Sequence, residues 1–369
     1  MKKILFFHFD LCGGGAEKVL INLLNNLDEN KYDITLQTIF GTGPNIKDVP
    51  HNARFKYVFK ETFRGFSKVM KLASPRLLYR LFIREKYDLE VAFIESSPTR
   101  IVSACPNNKT KKIAWVHTTY TKDNSIIRSY RCRSEAVKAY NKFDHIAFVS
   151  EDTLNAFRAM MPEVSVPMSV VHNVIDIDHT RQLAQDACPI ECDRTLVNLY
   201  SVGRLTKVKG FDRLLVCLSK LVADGINNFH LYLLGQGEER NNLVSLTNSL
   251  GLNNYVSFLG YDANPYRYAK QMDLFVCSSH IEGFSTAVTE AITLGVPVIT
   301  TECSGMNEIL EGGKYGMIVP NDTLSLLNGL KELIVDATKI DEYRQRIANS
   351  ESITTQSLVS KYEELFDTI

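Results

Sequence analysis

No apolar stretch in this 369-residue chain approaches the roughly 20 residues that cross a bilayer, so the sequence offers no membrane span. The opening Met-Lys-Lys and the run Ile4-Leu5-Phe6-Phe7 imitate the start of a secretion signal. His8 and Asp10 interrupt that run and no small-residue cleavage site follows, so it is expected to be a first strand. Net charge is absent as well, since 42 Lys/Arg balance 42 Asp/Glu. Among the eight cysteines, Cys188 and Cys192 lie four apart, but no second pair or histidine cluster completes a zinc site. Most of the eight sit in apolar contexts and are expected to be buried free thiols, which fits a reduced, cytoplasmic compartment. There is no Gly-Lys-Ser/Thr phosphate loop. A dinucleotide fingerprint is also incomplete: Gly13 and Gly15 fill two positions, but Lys18 occupies the third. The next strand, Tyr32 to Phe40, carries no terminal acid for a ribose, which argues against a dehydrogenase.

What is present is a soluble composition, 45% hydrophobic, with length for two domains. The neutral total hides an asymmetry. Residues 1–170 hold 26 Lys/Arg against 17 Asp/Glu, and the remainder holds 16 against 25. Two halves of opposite sign imply surfaces with different partners. Lys2 to Phe9, a glycine turn and the helical spacing of Val19, Leu20, Leu23, Leu24 and Leu27 open an α/β domain. Further strands are expected at Leu89–Ile94, Lys112–His117 and Ile146–Val149. A proline-punctuated linker follows between about Pro167 and Asp178. Alternation then resumes with strands at Leu196–Val202, Phe229–Leu234, Tyr255–Leu259, Leu274–Ser278, Val296–Ile299 and Ile318–Val319. Helices from about Leu324 to Ala337 and Ser357 to Phe366 finish the chain.

Four features carry chemistry. In Ser278 to Leu310 a strand, turn, helix and second strand carry Glu282 in the turn and Glu290 two helical turns later, so both can line one ligand. The Gly283-Phe284-Ser285 backbone leads into a helix N-terminus that favours an anion. Arg204 and Lys209 share a strand-to-helix loop, a planar fork and a point charge that can clamp phosphate, where the plain alternative is exposed loop charge. His117 ends a strand on the side where open sheets bind ligands, although a structural histidine is the alternative. Residues 56–86 interleave nine cations with Phe63, Phe66, Val69, Met70, Leu72, Leu77, Leu78, Leu81 and Phe82. Two basic amphipathic helices split near Pro75 fit this pattern, presenting either an anionic-lipid surface or merely solvated basic faces. The aromatics look directed to the core and no nucleic-acid motif is present.

Together these residues resemble the GT-B retaining glycosyltransferases of family 4, especially those of bacterial capsule, exopolysaccharide or lipopolysaccharide synthesis. The likeness rests on Gly13 to Lys18, Val149-Ser150-Glu151, Asn173 to Asp176, Gly203-Arg204-Leu205, Lys209-Gly210 and Gly235-Gln236-Gly237. It continues through Glu282-Gly283-Phe284 and Glu290-Ala291 to Gly295 to Ile299. It implies an α/β GT-B architecture, two Rossmann-like domains facing each other across a donor/acceptor cleft. The acceptor domain would span 1–170 with the last helix, about 355–369, returning to it, and the donor domain 171–354.

By the same resemblance Arg204 and Lys209 hold the donor diphosphate, and Glu282 with Gly283, Phe284 and Ser285 meets the sugar. Glu290 grips the ribose, and Gly235, Gly237 and Leu259 meet the base. His117, Gly14 and Gly15 face the donor. No metal and no cofactor are implied, nor any protein nucleophile, because the leaving phosphate oxygen helps deprotonate the acceptor. The implied partners are a nucleotide-diphosphate sugar, UDP-linked by resemblance, and a glycan or lipid-linked acceptor; nucleic acid is not among them. An anionic membrane surface is a further expected partner of the basic helices, which would put the protein on the inner face of the cell membrane. Ser285-Thr286 departs from the commoner glycine or proline context, and Ser304 to Glu308 occupies the loop where Gly-Pro-x-Glu is frequent. Two other readings stay open: a GT-B epimerase or phosphorylase, and a non-catalytic nucleotide-sugar-binding partner.

Overall fold

A computed structural model describes residues 1–120, 126–350 and 353–369. The chain divides into two compact units, Met1–Ile175 with Thr354–Ile369, and Asp176–Ile353. In the first, seven parallel strands follow the order β3-β2-β1-β4-β5-β6-β7. They are β1 (Lys2–His8), β2 (Tyr32–Phe40), β3 (Ala53–Phe59), β4 (Leu89–Ala92), β5 (Lys111–Val116), β6 (His145–Phe148) and β7 (Met168–Val170). Parallel strands covered on both faces need continuous apolar side chains, and Ile4 to Phe7 and Ile113 to Val116 are all buried. The helices are α1 (Gly15–Asn26), α2 (Phe66–Leu72), α3 (Pro75–Phe82), α4 (Ser97–Val102), α5 (Arg133–Tyr140) and α6 (Glu151–Met160). Ser150 caps α6, its hydroxyl accepting from the Thr153 amide.

The second unit has a six-stranded parallel sheet, β10-β9-β8-β11-β12-β13. Its strands are β8 (Val197–Val202), β9 (Phe229–Leu234), β10 (Val256–Gly260), β11 (Leu274–Cys277), β12 (Val298–Thr301) and β13 (Gly316–Val319). Neighbours in β8 send side chains to opposite faces. Leu199 joins the core under α8 (Phe211–Ala223), and Tyr200 joins the one containing Phe275, Val288 and Val298. Around the sheet lie α7 (Ile177–Leu183), α9 (Arg240–Ser249), α10 (Thr286–Thr293), α11 (Met306–Ile309), α12 (Thr323–Val335) and α13 (Thr338–Ala348). The last helix, α14 (Thr355–Thr368), belongs to the first unit. Its Tyr362 stacks on Trp115 with centroids 4.7 Å apart, and Phe366 meets Phe6 edge-on at 5.8 Å. Glu363 accepts from the Asp28 amide and from Lys31.

Several expectations need correction. The basic helices do not reach back to Lys56, because Ala53–Phe59 forms the edge strand β3. Arg54 and Lys56 both pair with Glu85, and such charged side chains are usual on an exposed sheet edge. The expected linker contains β7, a three-residue edge strand too short to announce itself by alternation. Helix α13 was not anticipated, since its polar composition carries only a thin apolar stripe that buries Ile340 and Ile347. Of the eight free cysteines only Cys217, Cys277 and Cys303 are buried, while Cys12 and Cys132 are exposed in loops.

One buried carboxylate interrupts the first core. Glu90 of β4 is fully buried in register between Leu5 of β1 and Lys112 of β5. Tyr79 of α3 donates to its Oε1 at 2.6 Å, and the Cys105 thiol lies 3.7 Å away. Burial raises Glu90 from 4.5 to about 7, against the opposing pull of those hydrogen bonds and of Lys112. Between those values the folded chain holds a proton that the unfolded chain has released, so stability falls as pH rises. Urea unfolding of wild type and Glu90→Gln checks this. Relative to the variant, the wild type should lose stability from about pH 4.5 to 7 and change little below that window.

Candidate functional site

In both sheets the connections leave in opposite directions on either side of one strand pair, β1/β4 in the first unit and β8/β11 in the second. Open α/β sheets bind ligands outside the carboxyl ends of such a pair, where the two loops part. The loop after β8 carries Arg204 and Lys209, and the loop after β11 carries Ser278 to Ser285. Lys209 Nζ lies 2.6 Å from Glu282 Oε1, and Ser279 Oγ donates to the same oxygen at 2.5 Å. The backbones are joined as well. Ser278 Oγ donates to the Lys209 carbonyl, and the His280 amide donates to that of Val208. Gly210 has φ of 62°, and a Cβ there would come within 2.1 Å of the Ser278 carbonyl oxygen, so only glycine permits this approach.

Burial opposes the charge on Lys209, but the Glu282 carboxylate outweighs it and raises the ammonium above the usual lysine range. Arg204 is exposed and close enough to act on Lys209 as a like charge, and it has no carboxylate partner among the described residues. An anion reaching this loop meets one cation already oriented and another still in water. Ser285 caps α10 by accepting from the Val288 amide. Gly283 and Phe284 are half-buried and lie beside Gly305, ahead of α11. Glu290 is buried, and Tyr266 donates to its Oε1 at 3.1 Å.

Gly235 and Gly237 serve the packing of two loops. A Cβ on Gly235, where φ is 142°, would lie 1.9 Å from the Gly203 carbonyl oxygen, and one on Gly237 would lie 2.3 Å from that of Leu205. The Leu205 amide donates to Gln236, and that of Gly235 to Gly260. Leu259 sits half-buried at a register shift in β10.

Sequence reasoning missed Arg213. This α8 residue is 6% exposed and donates through Nε to the Ser278 carbonyl at 2.7 Å, through Nη2 to Ser279, and through Nη1 to Asn321 at 2.8 Å. It thereby fixes the loop that bears Glu282. The available signal was a cation directly ahead of Leu214-Leu215, on the buried side of an apolar helix.

In the first unit Gly14 caps α1 and Gly15 begins it. His117 follows β5, its ring 4.9 Å from that of Phe93 and its amide donating to Glu95. Burial, and then His8, lowers His117 to about 3. His8, also missed, ends β1 and is fully buried. Its Nδ1 lies 2.7 Å from the Asp10 carbonyl oxygen, and burial lowers its pKa against the pull of Glu17. Nε2 of each imidazole is buried without a hydrogen-bond partner among the described residues. Both rings are therefore held neutral inside the unit, each with one ring nitrogen shut off from solvent. The chain spells one Asp-x-Asp, Asp176-Ile177-Asp178, but Asp176 caps α7 by accepting from the His179 amide. No cluster of three metal-ligating side chains occurs among the described residues.

This geometry belongs to a known class. Residues 13–179 match the family model described as Glycosyltransferase Family 4, and residues 194–351 match Glycosyl transferases group 1. The chain belongs to the family 4 type of glycosyltransferase, with the GT-B fold. It is 27% identical over 94% of both chains to the N-acetylgalactosamine-N,N'-diacetylbacillosaminyl-diphospho-undecaprenol 4-alpha-N-acetylgalactosaminyltransferase of Campylobacter jejuni. It is 26% identical to the lipopolysaccharide core biosynthesis glycosyltransferase LpsE of Rhizobium meliloti, over 90% of this chain and 89% of that one. An uncharacterized glycosyltransferase of Methanocaldococcus jannaschii is 33% identical over 55% of this chain, which spans about half, 51%, of that protein. Among solved structures, HepE of Anabaena in complex with UDP-glucose superposes with a TM-score of 0.75 at 21% identity, covering all of both chains.

Removing the Arg213 fork leaves a buried carbonyl and Asn321 without their donor. Arg213→Leu is expected to cost about 2–3 kcal/mol, read as a lowered thermal midpoint. Arg213→Lys, with one ammonium in place of the fork, should recover only part of it.

Proposed function

We propose that the protein transfers a hexose or N-acetylhexosamine from a UDP-linked donor to a glycan or lipid-linked acceptor of a cell-surface polysaccharide, with retention at the anomeric carbon. The observation that carries this reading is the Lys209–Glu282 pair at the β8/β11 switch point, with Arg204 on the same loop. It is supported by the likeness to LpsE and the Campylobacter enzyme, whose names specify a lipopolysaccharide core and an undecaprenol-linked glycan. The UDP-glucose held by the structural relative HepE supports the carrier.

In this mechanism the bond from the anomeric carbon to the diphosphate oxygen breaks while the acceptor oxygen approaches the same face. The acceptor proton passes to the departing phosphate oxygen, so no protein nucleophile is needed. Arg204 and Lys209 stabilise the negative charge that grows on the diphosphate, an effect concentrated in the transition state. Lys209 exchanges part of its contact with Glu282 for phosphate, which frees Glu282 to accept from donor sugar hydroxyls. Gly283, Phe284 and Ser285 line the sugar, and Glu290 takes the ribose hydroxyls. Gly235, Gly237 and Leu259 border the base.

A panel of nucleotide sugars with lipid-linked acceptors, read by released nucleotide and by NMR of the product anomer, tests the reading. A retained configuration is expected, and an inverted one refutes the mechanism. Lys209→Ala and Arg204→Ala should each lower kcat/KM by about 2–4 kcal/mol, roughly 30- to 1,000-fold. Wild-type turnover in both would remove them from the diphosphate site. Because these cations carry the neutralising charge, turnover should survive EDTA, and a loss reversed by added magnesium would overturn metal independence.

A further inference from the structure

Helices α2 and α3 have two faces. Phe66 and Met70 of α2, and Leu78, Tyr79 and Phe82 of α3, enter the core of the first unit. Val69, Leu72, Leu77 and Leu81 do not, and remain between 50% and 73% exposed. Leu77 and Leu81 recur at four residues, as do Arg76 and Arg80, so an apolar row and a cationic row run side by side along α3. Residues 60–84 contain seven Lys/Arg and a single acid, Glu61. Lys60, Arg64, Lys68, Arg76 and Arg80 have no carboxylate partner among the described residues.

The surface is held rigid from behind. Arg100, 1% exposed, donates to the carbonyls of Met70, Lys71 and Ala73, and Arg131 donates to those of Lys71 and Leu72. The open C-terminal end of α2 is thereby capped by two guanidinium groups. Beside Pro75 lies an open recess of about 330 Å³ whose lining includes Arg131, Lys138 and Lys142.

We propose that α2 and α3 form a docking surface for an anionic lipid bilayer. Leu72, Leu77 and Leu81 enter the boundary between headgroups and acyl chains, and Lys68, Arg76 and Arg80 meet lipid phosphates. A nucleic acid would satisfy the cations but leave the leucines in water. A second copy of the same face would bring like charges together. A bilayer satisfies both rows at once. The surface lies within the first unit, and its binding is measured without a donor, so it stands or falls separately from the transfer reaction.

The full chain is sedimented with phosphatidylcholine vesicles, with and without about one third phosphatidylglycerol, at low and high salt. Binding to the anionic vesicles is expected to exceed binding to the neutral ones about tenfold or more, and to fall with salt. Arg76→Glu/Arg80→Glu should weaken it at least about tenfold. Leu77→Gln/Leu81→Gln should weaken it by a similar factor while leaving the salt dependence intact. Lys331→Glu/Arg346→Glu, in the second unit, should change nothing. All four side chains of the two test variants are exposed, and unchanged thermal midpoints verify that they fold. No preference for anionic vesicles, equal binding by wild type and both variants, self-association through this face, or binding to an oligonucleotide in place of vesicles would each overturn the proposal.

Discussion

The close approach of two loops at the β8/β11 switch point is the constraint on which the second unit depends. Gly210 abuts the Ser278 carbonyl, and that contact lets Lys209 reach Glu282. The arrangement would be unstable if the carbonyls of Ser278 and Ser279 faced the interior without donors, because an unmet buried acceptor costs about 1–3 kcal/mol. Arg213 supplies those donors from α8, and Thr301 adds one to Ser279. A buried cation therefore does structural duty directly behind a partly exposed one that is available to a ligand. The two have different consequences. Arg213 spends its hydrogen bonds on the protein's own backbone, while Lys209 keeps a single carboxylate contact that a phosphate can compete for.

Much of this was legible in the sequence, for identifiable reasons. Strands such as Phe229–Leu234 are buried on both faces, so they appear as unbroken apolar runs between glycines. The helix at Phe211 is marked by Leu214, Leu215, Leu218 and Leu221 on one face. The direct contact of Lys209 with Glu282 was not anticipated, because the resemblance placed them only at different parts of one donor. Edge strands were less visible, because β3 is half solvated and β7 has only three residues. Arg213 and His8 were missed for a common reason: a polar residue inside an apolar segment reads as an interruption, and its partners are backbone groups and burial that composition does not record. The glycines at 235 and 237 show the reverse. Their motif is easy to see, but it reports how tightly one backbone packs on another as much as it reports a ligand.

The two units use the same strand order around their switch points with opposite electrostatics. In the second unit the loops present cations and a carboxylate. In the first, His8 and His117 are kept neutral by burial, and each keeps one ring nitrogen unpaired. One edge thus exposes charge to solvent, while the other keeps its titratable rings inside. Repetition of a fold within the chain did not repeat its chemistry.

The path of the chain has a consequence for how it is made. Helix α14 is synthesised after all of Asp176–Ile353, yet it covers Trp115 and Phe6 in the first unit. On the ribosome the first sheet must wait, with those rings uncovered, while 178 further residues of the second unit are translated. At about 5–20 residues per second that interval lasts on the order of ten seconds or more. The first sheet is therefore completed only after the second unit has been translated.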